Sequence, residues 1–254
     1  MAAKPLLRVG IIGSGFVALT HAEALKHIPE ARLVAVAGGS KAGELAAQYG
    51  ARTEADVEHL VRAADVEAVV VCSPHVAHAE QTVGCLGEGK HVLVEKPMAV
   101  SAGQCADMIA AAEAAGCTLM VAHFQRFREP NAAAARALRE GRIGAVRLAQ
   151  QRLLELPNDK PWQLEARSVG FFLGCGVHGI DLLRFWTGAE ITEVAGFAHH
   201  IRGNPTEDGA QALLRFASGA TASLLATDSL PEGKSRKSPG AAGLWSLLIG
   251  DQGI

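Results

Sequence analysis

The sequence predicts an α/β protein whose first half folds as a doubly wound parallel sheet. Short apolar segments alternate with helical patterns through that half. Two of these segments, Val69–Val71 and Val92–Val94, are apolar at every position, which is typical of strands buried on both faces of a parallel sheet. A glycine-rich turn, Gly13–Gly15, directly follows the first segment. Strands that alternate with helices indicate βαβ units, so we expect helices on both faces of the sheet.

The elements of the first half can be placed in order along the chain. We expect strands at Arg8–Ile12, Arg32–Ala37, Ala68–Cys72, His91–Val94 and Thr118–Ala122. We expect helices at Phe16–His27, Lys41–Tyr49, Val57–Ala64, Ala77–Glu88 and Ser101–Ala115. Ser101 is a favoured helix N-cap residue and Gly116 a favoured C-cap residue, so both ends of the last helix are marked.

The pattern changes after residue 122, which predicts one domain at 1–122 and a second at 123–254. In the second we expect helices at Ala132–Glu140 and, after a glycine-rich loop, at Gly179–Trp186. We expect strands from Val146 onward and at Val194–Ile201, Gln211–Phe216, Thr221–Thr227 and Leu244–Ile249, with a loop at Pro231–Gly243. The turn Ala217–Ala220 is typical of a hairpin, so an antiparallel sheet is predicted.

Composition and charge exclude several classes of protein. Of the 254 residues, 49% are hydrophobic and 20% are charged, which argues against a disordered chain. The net charge of −2 gives no basis for nucleic acid or a membrane surface as a partner. No apolar run reaches the roughly 18 residues of a membrane span. The cysteines at positions 72, 85, 105, 117 and 175 form no C-x-x-C pair, so we expect reduced thiols in a cytoplasmic protein.

The first turn carries a dinucleotide-binding pattern. Gly13, Gly15 and Ala18 match G-x-G-x-x-G/A. The first glycine permits a tight turn, the second lets the backbone approach a pyrophosphate, and the third small residue lets helix and strand pack closely. The helix N-terminus then supplies free N–H groups for the phosphates. This predicts a nucleotide-binding Rossmann domain, and the alternative is a glycine turn that serves packing alone.

The end of the second strand indicates which dinucleotide binds. It reads Gly38-Gly39-Ser40-Lys41 and contains no carboxylate. A carboxylate at this point would accept hydrogen bonds from the ribose hydroxyls and would repel a 2′-phosphate. Its absence beside Ser40 and Lys41 favours NADP(H) over NAD(H). The alternative is that Lys41 is only a solvated residue of the first helical turn.

The segment Glu95-Lys96-Pro97 places an acid and a base at the carboxyl end of a predicted parallel strand, where ligands bind in open α/β sheets. With it, the chain resembles the glucose–fructose oxidoreductase/inositol dehydrogenase (Gfo/Idh/MocA) family of NAD(P)-dependent oxidoreductases over essentially its whole length. The other matching segments are Arg8–Gly15, His21-Ala22, Ser73-Pro74-His75-x-x-His78, Leu119–His123 with Arg126-Phe127, Gly141–Gly144, Gly176-x-His178-x-x-Asp181–Arg184 and Leu214-Arg215-Phe216-x-x-Gly219.

The resemblance implies a fold and a function. It implies a cofactor-binding Rossmann domain at 1–122, and at 123–254 an α+β domain with an open, mostly antiparallel sheet for substrate binding and oligomerisation. It implies hydride transfer between nicotinamide and a secondary hydroxyl or carbonyl of a small molecule. The expected substrates are a sugar, a sugar derivative, a cyclitol or a cyclic diol. The alternative is a non-catalytic or degenerate dinucleotide-binding protein.

The resemblance also implies site residues. Lys96 and His178 are the expected acid/base pair, and with Arg126 and Asp181 they are the expected substrate contacts. A histidine suits proton transfer near neutral pH, while a desolvated lysine either exchanges a proton or stabilises an alkoxide. The alternatives are a strand-end lysine and a helix-capping histidine. The expected cofactor-binding residues are Gly13, Gly15, Phe16, Val17, Ser40, Lys41, Ser73, Pro74, His78, Glu95, Lys96 and His123. No metal is expected, because no ligand spacing is present.

The chain departs from the family pattern in two places. Gly174 stands where the family usually has an Asp four residues before the histidine, and Phe124, Phe171 and Phe172 replace polar or small residues. We therefore expect a more apolar pocket that is less suited to a polyhydroxylated sugar. The last residues match an I-x-G-x-x-G stretch after which the family continues with further strands, so we expect a sheet that is short at its C-terminal end.

Overall fold

The computed structural model describes residues 6–157, 169–230 and 243–254. The chain divides into two compact units, Met1–Ala122 and His123–Ile254. Within the described ranges, no helix combines the length and apolar character needed to cross a bilayer.

A parallel sheet forms the centre of the first unit. Its strands in the described residues are β1 (Leu7–Ile12), β2 (Ala31–Ala37), β3 (Arg52–Thr53), β4 (Ala68–Val71), β5 (His91–Val94) and β6 (Leu119–Val121). They lie in the order β3-β2-β1-β4-β5-β6, and every neighbouring pair is parallel. The chain moves outward on one side of β1 and returns to β4 on its other side, so a crevice opens at the carboxyl ends of these two strands.

Five helices connect these strands in the described residues. They are α1 (Phe16–Leu25), α2 (Ala42–Tyr49), α3 (Val57–Arg62), α4 (His78–Gly87) and α5 (Ala102–Ala115). The Oγ atom of Ser101 accepts a hydrogen bond from the Gln104 N–H at 3.2 Å, and Gly116 ends α5 with a φ of 62°. The valines of β4 and β5, whose pattern predicted strands of a parallel sheet, are buried, and Val71 and Val94 are fully buried.

The predicted doubly wound parallel sheet is confirmed, with small local differences. The edge strand β3 was not predicted, because two polar residues carry no apolar pattern. Helix α1 ends at Leu25, two residues before the predicted end at His27.

The second unit contains an open, mostly antiparallel sheet, as predicted. Its described strands are β7 (Val146–Leu154), β8 (Ile191–His199), β9 (Gly209–Phe216), β10 (Thr221–Thr227) and β11 (Gly243–Gly250), in the order β11-β7-β10-β9-β8. Only β7 and β10 run parallel among the neighbouring pairs of these described strands. The predicted hairpin joins β9 and β10 through Gly219, whose φ is 84°.

The α-helices of the second unit in the described residues are α6 (Glu129–Arg139) and α7 (Val177–Thr187), and Phe124–Phe127 forms a 3-10 helix. The prediction of a glycine-rich loop before α7 is wrong, because Phe172–Gly176 forms a π-helical turn that continues directly into α7. A Cβ atom on Gly176 would lie 3.2 Å from the Phe172 ring and 3.3 Å from Ala226. This glycine therefore permits close helix–sheet packing rather than a chain reversal.

Helix α7 packs against one face of the second sheet. Leu183 of α7 joins Leu214 and Leu224 in a cluster of buried residues, and Phe172 packs against the same cluster. Phe172 thus contributes to the packing between α7 and the sheet, and its predicted effect on a pocket stays a prediction. The predicted loop at Pro231–Gly243 lies outside the described residues except for Gly243, which begins β11.

Candidate active site

A cleft lies at the carboxyl ends of β1, β2 and β4 in the first unit. Its volume is about 800 Å³, enough for a large part of a dinucleotide. The predicted cofactor residues that line it are Gly13, Gly15, Phe16, Ser40, Lys41, Ser73 and Pro74. The remaining predicted cofactor residues do not line it, namely Val17, His78, Glu95, Lys96 and His123.

The two glycines of the first turn have different reasons to be glycine. Gly13 has a φ of 113°, and a Cβ atom there would lie 2.6 Å from the Cys72 carbonyl oxygen. Backbone geometry and packing therefore require it. Gly15 has a φ of −80° that any residue adopts, and a Cβ atom there would have no atom of the described residues within 4 Å. Packing among the described residues therefore does not require a glycine at position 15.

Ser14 joins the loops that follow β1 and β2. Its Oγ atom accepts a hydrogen bond from the Lys41 N–H at 3.1 Å. A Cβ atom on Gly39 would collide with the same oxygen, and Gly39 has a φ of 79°. Glu44, in the first turn of α2, also lines the cleft. This carboxylate was not predicted from the sequence, because an acid that binds ribose is expected at the end of the strand and not on the helix after it.

His78 bridges the loops after β4 and β5 from a fully buried position. Its Nδ1 atom lies 2.8 Å from the Pro97 carbonyl oxygen and its Nε2 atom 2.9 Å from the Ser73 carbonyl oxygen. Burial lowers the pKa of the His78 imidazole, although the hydrogen bonds to the two carbonyl oxygens act to raise it. The structure places His78 as a support for these two loops.

Glu95 and Lys96 occupy the end of β5. The Oε1 atom of Glu95 lies 2.9 Å from His21 Nε2, and its Oε2 atom accepts a hydrogen bond from the Lys96 N–H at 3.2 Å. Burial opposes ionisation of Glu95, but the hydrogen bond and charge of His21 hold its pKa below the ordinary value. Glu95 therefore fixes the strand end that presents Lys96. His21 was part of the family motif, but no role was predicted for it.

His178 is the second residue of α7 and is only 6% exposed. The ring of Phe124 meets its imidazole edge-to-face, with 5.2 Å between the ring centroids. Before α7, the Glu207 carboxylate accepts a hydrogen bond from the Phe172 N–H at 3.0 Å. Burial raises the pKa of the Glu207 carboxyl, although its hydrogen bonds from backbone N–H groups act to lower it. An acid from the β8–β9 loop thus caps the helical segment that carries Gly174 and His178.

Arg126 and Asp181 are brought together in the second unit. The guanidinium donates to both carboxylate oxygens of Asp181, at 2.8 Å from Nε and 2.5 Å from Nη2. This pairing raises the pKa of Arg126. His123 Nε2 lies 3.7 Å from the same carboxylate. Asp181 is 5% exposed, so its main observed role is to orient Arg126. In the described ranges, no group of three or more His, Cys, Asp or Glu residues could hold a metal ion.

Comparison with known proteins gives matches along most of the chain. Residues 7–123 match the profile of an oxidoreductase family with an NAD-binding Rossmann fold, GFO_IDH_MocA. Residues 131–253 match the GFO/IDH/MocA C-terminal domain. The 1,5-anhydro-D-fructose reductase of Ensifer adhaerens is 38% identical over 177 residues, which cover 65% of this chain and 52% of that protein.

Two further similar proteins extend the comparison. The trans-1,2-dihydrobenzene-1,2-diol dehydrogenase of Mus musculus is 29% identical over 84% of this chain and 66% of its own length. The crystal structure of GenD2 from gentamicin A biosynthesis, in complex with NAD, has a TM-score of 0.89 at 25% identity and covers 100% of this chain and 72% of that one. The chain spans between half and two thirds of these curated relatives.

Proposed function

The chain belongs to the GFO/IDH/MocA family of oxidoreductases, and from that premise we propose that it is an NAD(P)-dependent oxidoreductase acting on a CH–OH or carbonyl group of a small molecule. The observation that carries the proposal is the cleft over Gly15, where the backbone is open to a phosphate and no packing contact accounts for the glycine. The residues fit the cofactor, and a bound nicotinamide would supply the hydride donor or acceptor.

The proposal assigns proton transfer to Lys96 and His178. Removing a hydride from an alcohol carbon requires that the hydroxyl proton leave as well, and a positioned base lowers that barrier. Lys96 is held at a strand end through Glu95, and His178 is buried in the first turn of α7. Arg126, oriented by Asp181, would contact a substrate oxygen through its remaining N–H groups.

We propose a substrate with a ring less polar than a free sugar. Gly174 lies on the turn before α7 and supplies no carboxylate for hydroxyl groups. Phe124 lies with its ring against the imidazole of His178. Similar proteins include both an anhydrosugar reductase and a cyclic diol dehydrogenase. The apolar ring of Phe124 beside His178 favours a cyclic diol over a sugar as the substrate.

The test of this function separates binding from turnover. The purified protein would be titrated with NADPH and NADH by fluorescence, and then screened with sugars, cyclitols and cyclic diols at the nicotinamide absorbance band. Binding together with turnover of one substrate class supports the proposal. Binding without turnover across all classes would instead support a non-catalytic dinucleotide-binding protein.

We propose that NADP(H) is preferred over NAD(H), because Lys41 and Ser40 line the cleft after β2. Exchanging Lys41 for Glu is expected to weaken NADPH binding about tenfold or more, since a cation near a 2′-phosphate is replaced by an anion. NADH binding should change much less, and fluorescence titration measures both. Glu44→Gln is the matched control in the same cleft and should not weaken NADPH binding. Tighter binding of NADH than NADPH by the parent chain would refute the preference.

We also propose that two copies associate through the uncovered face of the second sheet. Phe197 is 86% exposed and Leu213 65% exposed, and both lie on the face opposite α7. Apolar side chains at this exposure are typical of an interface.

A cytoplasmic location is proposed because the described cysteines are free thiols, and the charge balance points to neither nucleic acid nor membrane as partner.

Leu213→Arg is expected to convert the oligomer to a monomer, because it replaces an exposed apolar side chain of this face with a charge. Light scattering after size exclusion measures the mass directly. Ile109→Arg, on an exposed position of α5 in the first unit, is the control and should keep the mass of the parent. A monomeric parent protein would contradict the proposal.

A further inference from the structure

Gln151, in the middle of β7, is a fully buried polar residue in an otherwise apolar layer. It is 0% exposed, and its Nε2 and Oε1 atoms have no hydrogen-bond partner in the part of the chain that the structure describes. Ala149 and Leu153, two positions away on either side, are also buried, so all three face the same side of the sheet. A buried amide with neither donor nor acceptor satisfied is rare and calls for an explanation.

The amide of Gln151 lies beneath the first turn of α7. A Cβ atom added to Gly179 would be 3.6 Å from Gln151 Cδ and 2.6 Å from Leu224 Cδ1, so helix and sheet are in close contact here. Leu224 is the β10 residue paired with Gln151. His178 precedes Gly179 in the same turn and is buried. Gln151 is therefore a polar side chain placed next to the turn that carries the proposed acid/base residue.

Packing alone would favour an apolar side chain at position 151. Burial removes the amide from water, and its lost hydrogen bonds are not replaced by the surrounding residues. Methionine has a similar length and flexibility and would fill the space without this penalty. Positions that break packing rules in this way are expected at functional sites.

We propose that Gln151 is a positioning residue for His178, an inference that rests on the function proposed above for this histidine. An amide offers both a donor and an acceptor, so Gln151 can pair through an internal water with an imidazole in either protonation state. It would hold the ring in one orientation while His178 takes up and returns a proton.

The test compares Gln151→Met with Gln150→Met, which changes the neighbouring residue on the opposite face of the strand. Gln151→Met is expected to raise the unfolding midpoint by about 2–4 °C, because a fully buried amide is replaced by an apolar side chain of similar length. It is also expected to lower kcat about tenfold or more with little change in KM or in the Kd for NADPH, because the imidazole loses its orientation. Gln150→Met should leave kcat, KM and the Kd for NADPH unchanged.

A second measurement, the titration of the His178 imidazole, does not depend on turnover. The His178 imidazole would be titrated by NMR, with its signal assigned by its loss in His178→Asn, and a shift of about half a pKa unit or more in Gln151→Met is expected. An unchanged kcat and titration in a more stable variant would overturn the inference, and so would a variant that loses both stability and activity. If the parent chain lacks turnover but the titration moves, the proposed activity fails and the Gln151 contact stands.

Discussion

Replacement of Lys96 by alanine is expected to lower kcat by about 10²- to 10⁴-fold, the range found when a positioned proton-transfer group is removed. The strand end that presents Lys96 is held by its main-chain N–H bond to Glu95, so the backbone should keep its place. Lys96 does not line the cleft over Gly15. The Kd for NADPH should therefore change far less than kcat, and both would be measured on the same preparation.

Lys26→Ala is the matched control for the lost charge. Lys26 is an exposed residue directly after α1 whose ammonium pairs with Glu23 at 2.9 Å, and its removal should leave kcat unchanged. If Lys96→Ala instead retains the kcat of the parent chain while binding NADPH, Lys96 is not an acid/base residue of this protein.

Gly15→Val is expected to weaken NADPH binding about 100-fold, the loss that follows when one or two charge-assisted backbone contacts are blocked. The backbone at Gly15 has a φ of −80° and a ψ of −173°, which valine adopts readily. A Cβ atom there has no atom within 4 Å in the part of the chain that the structure describes. The unfolding midpoint should therefore change little, and fluorescence titration with thermal unfolding measures both effects.

Gly13→Ala is the comparison variant, because it is expected to affect the stability of the fold. Its Cβ atom would lie 2.6 Å from the Cys72 carbonyl oxygen, in a backbone conformation with a φ of 113°. The fold itself should lose stability in that variant. Should Gly15→Val bind NADPH as tightly as the parent chain, the glycine turn serves packing alone and the cofactor site lies elsewhere.

The first unit could be predicted from the sequence because its signals are local. Runs such as Val69–Val71 are buried on both faces and short enough to be strands, and Ser101 and Gly116 mark the ends of one helix through their own chemistry. The strand β3 could not be predicted in this way, because Arg52 and Thr53 owe their conformation to pairing with β2.

The turn before α7 shows where local reasoning fails. Two glycines, Gly174 and Gly176, are typical of a loop, yet the segment is helical because Phe172 packs on the sheet and Gly176 lets the helix approach Ala226. Tertiary packing overrides the propensity of glycine here. Only the contacts between elements distinguish a glycine that reverses the chain from one that permits close packing.

The pairings within the candidate site were also beyond the sequence. His21 and Glu95 are 74 residues apart, and Arg126 and Asp181 are 55 residues apart. The residue types were recognisable from the family motif, but their partners depend on how distant elements pack. The burial of Gln151 could not be predicted at all, because an isolated glutamine in a strand is most often exposed to solvent.

The most direct test of the proposed activity follows the hydride itself. The protein would be incubated with NADPH deuterated at the transferable nicotinamide position and with the carbonyl form of the best substrate from the screen, and the product analysed by mass spectrometry. We expect one deuterium in each product molecule, and a loss of that signal in Lys96→Ala. Tight NADPH binding without deuterium in any product across sugars, cyclitols and cyclic diols would contradict an oxidoreductase and leave a dinucleotide-binding protein.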